Sequence, residues 1–214
     1  MYIPSNFLET DIERLHEFIE GHSFATLITA VGADSVASHL PLLLDREAGS
    51  HGKLIGHMAR ANTQWKDADS TESLVIFHGP HAYISPRWYE ARNVVPTWNY
   101  VAVHAYGTFR LVSDRTSLLQ TLRNTVEKYE NGASDAWSMD APDESFIAGL
   151  LDSIVGFEIE ITRLEGKWKL SQNHTPERRT RVIEALQQAA GEQQHQVAEL
   201  MLQTLQATQD ESRK

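Results

Sequence analysis

The sequence contains no cysteine. That removes disulfides, thiolate nucleophiles, iron–sulfur clusters and cysteine-type zinc sites together. It has no run of about 18 apolar residues, the length that a membrane-spanning helix needs. It is poor in positive charge, with 19 Lys and Arg against 29 Asp and Glu and a net charge of −10. A protein that grips nucleic acid non-specifically usually carries a basic footprint instead, so direct DNA binding is doubtful. The phosphate-cradling patterns G-x-x-x-x-G-K-[ST] and G-x-G-x-x-G are missing, as is the G-x-S-x-G nucleophile elbow. The start, Met1-Tyr2-Ile3-Pro4, has no basic stretch followed by an apolar one. The expectation is therefore no signal peptide, and a cytoplasmic protein.

What is present suits a globular chain. Its 214 residues are 41% hydrophobic, enough for one large domain or one domain with a helical appendage. Thr10-Asp11-Ile12-Glu13 reads as a capping box, opening a helix with Ile12, Leu15, Phe18 and Ile19 on one face and ending at Gly21. Residues 23–30 and 36–44 are rich in β-formers around the turn 31–35 and read as a hairpin. Further strands are expected at 53–57, 73–79, 97–112 and 156–166, the last continued by or paired with 167–173. A short helix is expected near 63–68. Residues 80–96, with Pro80, Pro86 and Pro96, read as a long loop holding a short strand at 82–85. In 97–112 the even positions carry Trp98, Tyr100, His104 and Tyr106, and the odd ones Asn99, Val101, Val103 and Ala105, so the strand has one aliphatic side. Helices follow from a cap at Ser113, over 143–154, from Thr175-Pro176 to about 190, and around Val197 to Leu205, with 208–214 fraying. Strands with short links at the centre and helices at both ends predict a mainly β, antiparallel barrel with peripheral helices rather than a doubly wound sheet. The expected division is a barrel domain over 1–174 and a helical extension over 175–214.

Several chemistries can be weighed from the residues. Five of the ten histidines, His39, His57, His78, His81 and His104, lie on or beside the central strands. His78-x-x-His81 spans a Gly-Pro turn without a nearby acidic third ligand, so no metal site is expected. Arg60 and Asn62 follow the strand at 53–57, where a helix start could present free N–H groups to an anion. Ser38 and His39 lie within the second strand. Tyr83 and Ser85 lie on the proline-rich loop, Thr97, Trp98 and Asn99 open the long strand, and Gln172 and Asn173 close the last one. A ligand suited to this inventory is flat, has amide-like edges and carries a phosphate.

The blocks "MYIPSNF", "SHLPLLL", "GHMARANTQW", "FHGPHAYISPRWY", "VPTWNYVAVHAYG" and "KLSQN" occur in that order from Met1 onward. Together they resemble the PaiB-type FMN-binding family of negative transcriptional regulators, over nearly the whole chain. The resemblance implies an FMN-binding split β-barrel related to pyridoxamine phosphate oxidases, and a homodimer with flavin in the cleft between subunits. It implies that His57 to Lys66 meets the FMN phosphate, with Arg60 as leading contact and Asn62 helping. Arg suits a phosphate because its fork makes paired, charge-assisted bonds. It also implies that Ser38 and His39 run along the isoalloxazine edge, with Trp98, Asn99, Gln172 and Asn173 as further cofactor contacts that could come from the partner subunit. The strand that offers basic residues to the phosphate in the oxidases reads "HLPLLLD" here, without Lys or Arg, which predicts a weaker hold on phosphate. Two other classes stand beside this reading. One is a flavin-dependent oxidoreductase acting on a small molecule, or a haem-binding or haem-degrading enzyme, suggested by the histidines. The other is a DNA-binding module using Arg178, Arg179 and Arg181, a cluster that also suits a solvated helix face.

Overall fold

Alternation of apolar and polar residues sets most of the architecture. In the computed structural model, which describes residues 1–32 and 34–211, the chain runs β1 (Leu8–Glu9), α1 (Ile12–Gly21), β2 (Phe24–Val31), β3 (Asp34–Pro41), β4 (Leu43–Asp45), β5 (Lys53–Ala59), α2 (Gln64–Ala68), β6 (Glu72–Ile84), β7 (Thr97–Val112), α3 (Arg115–Glu130), α4 (Glu144–Asp152), β8 (Ile154–Lys169), α5 (Pro176–Gln187) and α6 (Glu192–Glu211). The strand order is β3-β2-β6-β7-β8-β5-β4, with β1 added to β8. The registered pairs are antiparallel, including the β2–β3 hairpin that runs from Phe24↔Pro41 to Val31↔Asp34. Ala33, inside the expected turn, lies outside the described residues.

The chain forms two compact units. One comprises 12–77 and 104–164; the other comprises 1–11, 78–103 and 165–214. In the first unit Leu27, Leu54, Val75, Phe77, Phe109, Phe157 and Ile159 are fully buried. Phe109 and Phe157 stack at 4.7 Å between ring centroids. In the second unit α5 and α6 pack as a hairpin, with Val182, Ile183, Leu186, Val197, Ala198 and Met201 buried. Among the described residues no helix is long and apolar enough to cross a membrane.

Several boundaries differ from the sequence reading for local reasons. Helix α1 starts at Ile12, one residue later than a cap at Thr10 would place it. The Glu9 carboxylate takes the backbone N–H groups of Thr10 and Asp11. The cap of α3 is Asp114 rather than Ser113, its side chain accepting from Ser117 N–H at 2.7 Å. Strand β6 runs straight through Pro80 to Ile84, where a loop was expected. Its ladder to β2 covers only Ser73–Ile76, so Pro80 removes no donor from that pairing. Strand β8 is continuous through Gly166, where β1 pairs with it. Helix α6 extends through Glu211. The remainder of the expected frayed tail, 212–214, lies outside the described residues.

Candidate functional site

Strand β5 places the first group of polar residues. Leu54, Gly56 and Met58 are buried, so His57 shares the opposite, half-buried face with Lys53 and Ile55. The strand continues past His57 to Ala59, two residues beyond the expected end at 57. Burial pushes the His57 pKa below the ordinary histidine value, which keeps the imidazole neutral near pH 7. The chain leaves the sheet at Arg60. Its backbone N–H donates to the Ser153 carbonyl, and its guanidinium donates from Nε to the Asp152 carbonyl at 2.7 Å and from Nη2 to the Ile154 carbonyl at 2.8 Å. The exposed guanidinium thus bridges the end of α4 and the start of β8, with Nη1 left over.

Next to it, Ser38, Asn62 and Gln64 form a closed set. Ser38 Oγ donates to Gln64 Oε1 at 2.6 Å and accepts from Asn62 Nδ2 at 2.8 Å, while Asn62 Oδ1 accepts the Gln64 N–H at 3.0 Å. Gln64 is 2% exposed. Its amide also donates to Thr29 Oγ1 and the Val36 carbonyl, so α2 is stitched to the β2–β3 hairpin. The short polar Thr-Gln start of α2 was legible; a buried, multiply bonded Gln64 was not. His39, one residue beyond Ser38, projects to the other face, where Nδ1 lies 3.0 Å from Thr26 Oγ1. The structure therefore brings Ser38 and Asn62 together and leaves His39 apart from them.

The other expected residues belong to the second unit. Trp98 is 53% exposed, edge-on to Tyr83. Asn99 is fully buried and exchanges hydrogen bonds with Ser171 Oγ. Gln172 turns back on its own strand end, accepting from Leu170 N–H and donating to the Trp168 carbonyl. Asn173 is exposed and lines a cavity of about 300 Å³ with Tyr89, Thr97, Asn99, Lys169 and His174. Of the sequence-selected four, Asn99 and Gln172 hold the chain, and Trp98 and Asn173 face outward. Lys169 and His174 flank the selected pair in "KLSQNH", yet nothing in a lone Lys or His marked them.

The arginine cluster on α5 is not a solvated basic face. Arg179 is 3% exposed and donates to the Met201 carbonyl and Thr204 Oγ1 on α6. Arg181 donates to the Tyr89 carbonyl and lies 3.7 Å from the Glu90 carboxylate. Two of the three guanidiniums therefore tie the fold together.

The His57 pKa gives an acid-stability prediction. A folded-state pKa below the unfolded one means that the unfolded chain takes up the proton first. The stability is intact above about pH 6.5 and is lost as pH falls through the depressed folded value. His57→Gln should flatten the decline of unfolding free energy below about pH 6.5 relative to wild type, measured by urea titration at each pH. Parallel profiles would show that His57 protonates as readily folded as unfolded.

An antiparallel sheet flanked by helices, in this order, is the FMN-binding split-barrel fold. The flavocytochrome Anf3 from Azotobacter vinelandii superposes with a TM-score of 0.59 at 15% identity, over 76% of this chain and 69% of that one. The FAD and heme binding protein from Mycobacterium smegmatis gives 0.58 at 13% identity, over 76% and 73%. The family described as "Putative FMN-binding domain" matches residues 1–163, and the chain belongs to that family. It is 38% identical to the Protease synthase and sporulation protein PAI 2 of Bacillus subtilis, over 94% of this chain and 96% of that protein. It is 32% identical to an uncharacterised protein of Emericella nidulans, over 80% and 84%. The PaiB-type resemblance and the split-barrel expectation are both borne out.

Proposed function

We propose that the chain binds FMN as a homodimer and acts as a PaiB-type negative regulator whose state follows flavin or metabolite supply. The observation that carries the cofactor assignment is the donor set at the exit of β5. Ser38 and Asn62 are fixed against the buried Gln64, next in sequence to a cation with an uncommitted Nη1. That set fits the group. Arg60 offers charge to a phosphate, Asn62 and Ser38 offer amide and hydroxyl edges to a flat heterocycle, and a neutral His57 can donate or accept one hydrogen bond. Preformed side chains of this kind bind without losing further rotamer freedom. Of the other expected contacts, Trp98 offers an exposed ring and Asn173 an exposed amide, which this reading gives to the flavin from the partner subunit, whereas His39 lies on the other strand face and Asn99 and Gln172 are held by Ser171 and the end of β8. Bound flavin supplies one- and two-electron redox chemistry, which belongs to the cofactor. Direct DNA contact forms no part of this reading, because the net charge is −10 and Arg179 and Arg181 are engaged internally.

Fluorescence titration with FMN and with riboflavin tests the assignment. Riboflavin lacks only the phosphate, so FMN should bind at least about ten-fold more tightly, the equivalent of one charge-assisted contact. Equal affinities would remove Arg60 from the phosphate role.

A further inference from the structure

The sheet of the first unit has a second side, and that side is not polar. In β2, Ala25, Leu27 and Thr29 are buried in the core, so Phe24, Thr26 and Ile28 point the other way. The register carries this side across the neighbouring strands. Ile28 stands between Ala37 of β3 and Leu74 of β6, and Thr26 stands between His39 and Ile76. In β7, Ala105 and Phe109 are buried, and His104 and Tyr106 hold alternate, half-buried positions. Helix α2 does not cover these residues, because its Gln64 is bonded to Thr29 Oγ1 on the core side. Phe24 is 68% exposed, Ala37 and His39 are exposed, and Ile28, Leu74 and Ile76 are half-buried. An antiparallel sheet with one solvated side normally alternates apolar with polar residues. Here the outward side also carries hydrocarbon.

Fixed charge is kept to the margin of this face. Glu72 is exposed at the start of β6, and the Arg163 guanidinium lies 3.5 Å over the Tyr106 ring on the β7 side. An apolar centre with a polar margin is the anatomy of a protein interface. The eight residues of β2 and four adjacent strands span roughly 27 by 19 Å, on the order of 500 Å² before side-chain relief. Apolar patches of that size mark interaction sites, and a standard interface takes about 800 Å² from each partner. The chain carries a net charge of −10, so two copies repel wherever their charged surfaces meet. A neutral face lets them approach, and a two-fold axis sets it against itself with no like charges opposed. Resting on the homodimer part of the functional reading, we infer that two copies pack sheet on sheet through this face, with Ile28 and Leu74 at its centre. His39, which points away from the Ser38–Asn62 pair, then lies between subunits. Every residue of the face belongs to 12–77 or 104–164.

Sedimentation equilibrium of the full chain, without added flavin, tests it. The wild type should be a dimer. Ile28→Lys should raise the dimer dissociation constant at least about a hundred-fold, because each copy would bury an unpaired ammonium in the contact. Ala37→Glu is the second variant and decides the matter even if Ile28→Lys misfolds. Ala37 is exposed, so the fold should tolerate the change, and two added carboxylates on one neutral face should raise the constant at least about ten-fold. Phe146→Lys on α4 is the control, since Phe146 is an exposed apolar residue outside the sheet, and it should leave the constant unchanged. A wild-type dimer that survives Ala37→Glu would overturn the face and leave the homodimer reading standing. Dissociation by Phe146→Lys alone would overturn it too, by moving the contact to α4. A monomeric wild type would overturn the homodimer reading, and the face with it.

Discussion

Arg60→Ala should weaken FMN binding about ten- to a hundred-fold and lower the melting temperature by a few degrees, if the proposed phosphate role holds. The first effect follows from removing a charge-assisted phosphate partner, a loss of about 1.5–3 kcal/mol. The second follows from the carbonyls of Asp152 and Ile154, which lose the guanidinium that joins α4 to β8. These bonds are exposed, so water replaces part of what is lost. A cost of about 1 kcal/mol, or about 2–4 °C for a chain of this size, is expected. Arg60→Lys keeps the charge but not the fork, so it should recover part of the affinity and little of the stability. Fluorescence titration and thermal denaturation of the two variants separate these roles. A melting temperature that falls while the FMN dissociation constant stays fixed would make Arg60 purely a clamp.

Gly107→Ala should destabilise the chain strongly. A Cβ at Gly107 in β7 would lie 2.3 Å from the carbonyl oxygen of Glu160 and 2.7 Å from Ile159 Cγ2 in β8. The first of these is backbone and cannot rotate away. The two strands would have to separate beside the Phe109–Phe157 stack. Overpacking of this kind costs about 3 kcal/mol, and roughly 6–12 °C in melting temperature. Gly149→Ala in α4 is the matched control. A Cβ there meets nothing within 4 Å, and Ala is the better helix former by about 1 kcal/mol. The same chemical change should therefore destabilise at 107 and be neutral or stabilising at 149, as read by urea denaturation. Equal effects at both positions would contradict the close β7–β8 approach.

The sequence made legible whatever depends on neighbours along the chain. The period-2 pattern of 97–112 gives β7 with the same bounds, Thr97–Val112, and its odd positions from Asn99 to Phe109 are all buried. Thr175-Pro176 opens α5 where it should, because the proline needs no partner for a missing N–H. What stayed hidden depends on residues far away in sequence. The carbonyls that Arg60 holds lie 92 and 94 residues from it, so an arginine in a turn looked free to meet an anion. Gln64 is buried by Thr29, Val36 and Ser38, 35, 28 and 26 residues back. Asn99 and Gln172 looked like ligand contacts because amides do, yet Ser171 and the turn after β8 take them up. Strand β6 passes through Pro80 because its ladder with β2 has already ended, a fact of register that no local pattern carries.

The most direct measurement is reconstitution. The protein is stripped of flavin by dialysis, incubated with excess FMN and passed over a gel-filtration column, and the protein peak is read in the visible range. The account predicts a flavin absorbance band travelling with the protein at one FMN per chain, in a peak at the size of a dimer. A flavin-free protein peak, with all the FMN eluting at the small-molecule volume, would contradict it.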